Sequence, residues 1–100
     1  MNTMSIDEKI KIIVERWKEQ DSRIVNIIVL NESGEPIYSG NLISEVALLA
    51  GSFARELYEK ANEVFKELNI TPEIIELDYT NFSLVIRKKN KIFLVLVMKR

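Results

Sequence analysis

The stretch Arg23-Ile24-Val25-Asn26-Ile27-Ile28-Val29-Leu30-Asn31-Glu32-Ser33-Gly34-Glu35-Pro36-Ile37-Tyr38-Ser39 decides the fold. Its first part, Arg23 to Leu30, is rich in Ile and Val with little alternation, the signature of a strand buried on both faces. Asn31 to Glu35 is a turn, with Gly34 free to take positive φ. Pro36 to Ser39 then reads as a short strand returning antiparallel. Pro36 has no N–H to give a ladder, which puts this strand at a sheet edge.

Working outward, Ser5 and Glu8 form a capping box, so a helix begins near Ile6. Ile6, Ile10, Ile13, Val14 and Trp17 recur at spacings of three and four and make one apolar stripe. Gln20-Asp21-Ser22 ends that helix. Ser44 is the next expected N-cap, with Glu45 favourably placed beside it. This second helix is expected to reach about Asn69, since Pro72 cannot continue it. Glu73 to Tyr79 reads as a strand with Ile75, Leu77 and Tyr79 on one face and Ile74, Glu76 and Asp78 on the other. Phe82 to Arg87 and Ile92 to Met98 follow as strands around the turn 88–91. The last is apolar on both faces, hence central.

The order is α-β-β-α-β-β-β over 100 residues, one domain's worth of chain. Sheet strands apolar on both sides need a helix on each face, which gives a three-layer α/β/α sandwich with a five-stranded, mainly antiparallel sheet. Residues 1–4 are expected to be disordered.

Composition narrows the function. The chain is 47% hydrophobic and 29% charged with a net charge of −1, so no global field draws it to nucleic acid. Cysteine and histidine are both absent, which excludes disulfides and thiolate chemistry and removes the commonest general base and metal ligand. Neither a signal peptide nor a membrane span is legible, and a cytoplasmic location follows by default. The preference for Glu, Lys and Ile is that of thermophile proteomes, a leaning that bears on source and not on function. The only glycines are Gly34, Gly40 and Gly51, so no phosphate-binding loop exists and the chain is not expected to hydrolyse GTP. No cofactor and no metal is expected.

Three features together resemble the Roadblock (dynein light chain type) family, with a Roadblock/longin-like fold. They are the α-β-β-α-β-β-β order, the hairpin Ile24 to Leu30 with Asn31 to Ser39, and a long helix with Ala47, Ala50, Gly51 and Ala54 in its first half. The resemblance runs from about Ile6 to Met98. Many members of the family carry a further C-terminal helix, so the chain reads as a minimal version with a single helix on one face. The resemblance implies no catalytic residues. It implies pairing with an identical copy or a paralogue, with the third strands joined and the second helices side by side. It also implies service as a platform for small GTPases, and some bacterial members stimulate GTP hydrolysis by their GTPase.

The long helix carries two stripes. Val46, Leu49, Ala50, Phe53, Leu57, Ala61, Val64 and Leu68 share one face, expected to lie on the sheet. About a quarter turn away are Ala47, Gly51, Ala54 and Tyr58. A Gly inside a helix costs about 1 kcal/mol relative to Ala, and a small-residue stripe admits another backbone. That backbone is either a second chain's helix or the domain's own sheet or an adjoining loop. The expected dimer interface is Ala47, Gly51, Ala54 and Tyr58 with Ile74, Glu76 and Asp78 on the third strand. Leu48, Ser52, Arg55 and Glu59 are the candidates for contact with a third protein.

The remaining alternative is the basic hairpin. Arg87, Lys88, Lys89 and Lys91 could touch the phosphates of a nucleic acid or an anionic membrane, although no aromatic residue stands in the turn to stack on a base. The leading expectation is a non-enzymatic dimeric scaffold that binds a small Ras-like GTPase, with no nucleic acid and no membrane insertion.

Overall fold

A computed structural model describes residues 5–100; the expectation for residues 1–4 lies outside the described residues. Helix α1 (Ile6–Gln20) starts where Ser5 Oγ accepts the Glu8 amide at 3.2 Å. Strand β1 (Ile24–Leu30) turns into β2 (Pro36–Tyr38), and α2 (Ser44–Val64) follows, closed by a 3-10 turn at Lys66–Leu68. Strands β3 (Ile74–Asp78), β4 (Phe82–Lys89) and β5 (Ile92–Lys99) complete the chain.

The sheet order is β2-β1-β5-β4-β3 with all neighbours antiparallel. The expected three-layer sandwich is therefore the observed one. β5 is central and carries Phe93 and Val95 on one face and Leu94 and Leu96 on the other. β2 and β3 are the two edges. The β4–β5 connection is tighter than the four residues expected, because Asn90 takes φ 57, a left-handed value that Asn tolerates.

Two cores lie on opposite faces of the sheet. Val14 of α1 packs on Ile27 and Val29, with Ile10, Trp17 and Leu94 against them. On the other face Ile28, Leu30, Ala54, Ile86, Phe93 and Val95 pack together. The alternation of β1 explains the split, since odd and even positions point to opposite sides.

Helix α2 departs from expectation in three ways. Ile43 is its N-cap and makes no side-chain cap bond, so Ser44 already sits inside the first turn. The helix stops at Val64 rather than near Asn69, which instead ends the 3-10 turn at φ 57. Most important, it is rotated by about a quarter turn from the orientation expected, although Ala50 and Leu57 of the expected sheet-facing stripe still pack against the core. Ala47 and Ala54 are each 1% exposed and Gly51 is buried, so the small-residue stripe faces the sheet. Leu49 is 73% exposed and Phe53 46%, so the outer members of the large apolar stripe, Val46, Leu49 and Phe53, are turned away from the sheet at this end.

The cause is local. The turn between β1 and β2 is built by Asn31, whose Oδ1 accepts the amides of Ser33 at 3.0 Å and Glu35 at 2.9 Å. Gly34 at φ 85 then lays its backbone on α2. A Cβ on Gly51 would collide with the Gly34 carbonyl oxygen and come within 2.9 Å of Leu30 Cδ2. The small stripe is thus filled by the chain's own hairpin. Gly51→Ala should lower monomer stability by about 1–2 kcal/mol, because overpacking outweighs the helix-propensity gain. Urea unfolding should show the midpoint falling by roughly 1 M; an unchanged midpoint would contradict this packing.

Candidate functional site

The rotation of α2 divides its flanks. Leu48, Ser52, Arg55 and Glu59, four residues at helical spacing, lie on the flank toward the β1–β2 turn. Leu48 is 53% exposed, and Ser52 and Glu59 are exposed too. The Arg55 stem packs over Gly34, where an added Cβ would meet Arg55 Cδ at 3.0 Å. Arg55 Nε faces Glu59 Oε1 at 3.3 Å, close enough for an ion pair though not aligned as a hydrogen bond. At this exposure such a pair is worth about 0.5 kcal/mol or less.

On the other flank α2 overhangs a groove of about 530 Å³. Val46, Leu49 and Phe53 form its helix wall, and Phe82, Leu84 and Val97 its sheet floor. Tyr79 and Phe82 stack at 4.7 Å between centroids where the groove opens toward β3. Helix α2 sits above β1, β2 and β5. The β4–β3 half of this face is what the groove exposes. This uncovered apolar surface is the candidate interaction site.

Beside the groove is the free edge of β3. Among the described residues its one ladder is with β4, in the register Ile75↔Ile86 and Leu77↔Leu84. The outer N–H and C=O groups therefore face away from the sheet. Ile74, Glu76 and Asp78 lie on the α1 side of this strand and are exposed; Ile75 and Leu77 lie on the α2 side and are half-buried. The strand residues expected at an interface thus do stand on an open edge.

The helix residues expected there do not. Ala47, Gly51 and Ala54 are covered by the chain itself, a correction that follows from the Gly34 contact. Tyr58 is also turned inward. Its hydroxyl donates to the Pro72 carbonyl at 3.1 Å, and its ring meets Phe93 edge-on at 5.4 Å. Val46, Leu49 and Phe53, assigned from sequence to the sheet, are the outward ones. The available signal was the pairing of two glycines, Gly51 in a helix and Gly34 in the turn before it.

The basic hairpin does not form one cationic surface. Lys88 Nζ reaches over the Phe93 ring at 5.3 Å and the Tyr58 ring at 5.7 Å, on the α2 side. Strand alternation sends Arg87 and Lys89 to the other side. Among the described residues, no acidic cluster is placed to hold a metal ion, and no helix is long and apolar enough to cross a membrane.

No protein-family model matches the chain, and no curated protein does. Solved structures do. MglB of Myxococcus xanthus superposes with a TM-score of 0.80 at 13% identity, over 100% of this chain and 77% of that one. An MglB in a tetrameric arrangement matches at 0.73 and 13% identity, over 97% and 76%. A Roadblock/LC7 domain from Streptomyces avermitilis matches at 0.70 and 12% identity, over 78% and 68%. The chain therefore has the Roadblock-type fold.

One titration is perturbed at the β3 edge. The Asp78 carboxylate accepts the Ser83 hydroxyl at 2.6 Å. That bond chiefly, then the charge of Arg100, holds its pKa below the ordinary carboxylate value. A depressed folded pKa means that the stabilisation is complete above the unfolded pKa and is lost as pH falls through the folded one. Ser83→Ala should move the Asp78 midpoint upward in a carboxyl-carbon NMR titration; an unmoved midpoint would contradict the assignment of cause.

Proposed function

We propose that the chain is a non-catalytic module that pairs with a second copy of itself, or with a paralogue of the same fold, and in that form binds a small Ras-like GTPase as a regulatory scaffold. The observation that carries this reading is the juxtaposition of an open strand edge with an apolar groove on the same side of the domain.

The geometry of pairing follows from symmetry. Antiparallel pairing of β3 with its copy about a two-fold axis normal to the sheet joins two sheets and keeps both α2 helices on one face. Each groove then meets the corresponding groove of the partner across the axis. Leu49, Phe53 and Val46 move from water into contact, and full burial of each large side chain contributes about 1.5–3 kcal/mol. Strand pairing satisfies the outer groups of β3 and sets the register, while the helix flanks supply most of the burial. The charged Glu76 and Asp78 stay on the opposite face at the rim, where they limit promiscuous edge pairing.

Support for the GTPase half comes from the resemblance to Roadblock-type platforms and from the fold shared with MglB proteins. On a paired domain, Leu48, Ser52 and Glu59, with the half-buried Arg55 between them, form a stripe beside the β1–β2 turn, a surface that pairing through β3 leaves free. That stripe is the assigned contact for the third protein.

Sedimentation equilibrium should give a dimer at micromolar concentration. Phe53→Glu should weaken it by at least about 100-fold, as truncating a central apolar anchor does, without lowering the monomer's urea midpoint. A wild-type monomer at high micromolar concentration would overturn self-pairing and leave pairing with a paralogue. For the platform half, Leu48→Asp should abolish binding of a Ras-like GTPase from the same cell while leaving the dimer intact. Equal binding by that variant would reject the stripe.

A further inference from the structure

On the sheet face opposite α2, the covering is half complete. Helix α1 lies over β1 and β2. Five strands at about 4.8 Å spacing span roughly 20 Å, and a helix is about 10 Å across, so one helix covers about half of the face. Beside α1 runs a groove of about 510 Å³ with an almost wholly apolar lining. Ile10, Ile13 and Trp17 form its wall, Val29 and Leu94 its floor, and the hairpin at Lys89 to Ile92 closes one end. Ile13 is 45% exposed and Ile92 39%.

We propose that this groove receives an amphipathic α-helix from a partner protein, lying alongside α1. Its apolar face rests on Trp17, Ile13 and Leu94, and its acidic residues point toward Arg87, Lys89 and Lys91. Two observations select this occupant. The floor belongs to β1 and β5, interior strands whose ladders are already paired on both sides. An extended peptide laid on them finds no partner for its backbone groups, whereas a helix satisfies its own. The second is charge. Arg87 and Lys89 rise from β4 on this face and Lys91 stands in the turn. Among the described residues, none of the three has a carboxylate within ion-pair distance.

Trp17 is the chain's single tryptophan and lines the groove, so its emission reports occupancy directly. The probe is a tryptophan-free 15-residue helical peptide with Leu along one face and Glu along the other. Titration should shift Trp17 emission to the blue with saturation. Lys89→Glu with Lys91→Glu should weaken binding about tenfold, and Ile13→Asp, at a half-exposed site, should abolish it. The same peptide with Lys in place of Glu should bind more weakly. Self-association should be unchanged in these variants, because the α2 groove lies on the other face. No shift at 500 μM peptide, a shift that survives Ile13→Asp, or a saturable shift with dodecanoate but not with peptide would each overturn the proposal, the last in favour of an anionic acyl ligand.

Discussion

Helix α2 lies where it does because Gly51 carries no side chain. The Gly34 carbonyl occupies the space that a Cβ would need, and Leu30 fills the rest. Gly34 is free to be there because a positive φ costs it little. This one backbone-to-backbone approach fixes the rotation of α2 about its axis. Every later property of that face depends on the rotation. Ala47 and Ala54, one turn to either side, are buried as a consequence, and the larger apolar residues are carried round to the outside.

What results is a domain finished on one half and open on the other. The β1–β2 side is sealed by both helices and the turn between the strands. The β4–β3 side presents floor residues without a covering helix and a strand without a neighbour. An exposed Leu or Phe alone signifies little. Here Leu49 and Phe53 border the same groove as the Tyr79–Phe82 stack and open onto the free edge. The proposed association therefore has both a directional element, the strand ladder, and a non-directional one, the apolar flank. The Ser83 hydroxyl lowers the pKa of Asp78, and the charged carboxylate at that edge limits pairing with arbitrary strands.

Much of the fold is legible in the sequence because strand burial writes itself into composition. Ile24 to Leu30 and Ile92 to Met98 read as double-faced strands, and both occupy interior positions. Pro36 correctly marks an edge. The Ser5 cap is present as expected, whereas Ser44 is not a cap, because helix start signals are local and the chain has Ile43 in the cap conformation. The rotation of α2 was not legible from periodicity. A helix with apolar residues on two adjacent stripes gives no internal reason to prefer one, and large side chains are usually the buried ones. The preference comes from Gly34, in a different element. Strand-edge residues Ile74, Glu76 and Asp78 were legible since alternation places them irrespective of packing. The groove residues were not, because they depend on the helix rotation.

Hydrogen exchange at the β3 edge addresses the central claim most directly. In a free domain, alternate amides between Ile74 and Asp78 point into water and exchange quickly, while those bonded to β4 are slow. Exchange measured across a range of protein concentrations should show the fast set becoming protected as concentration rises, in step with protection of the α2 flank around Leu49 and Phe53. Exchange of the outer β3 amides that stays fast and independent of concentration, up to millimolar chain, would contradict the account.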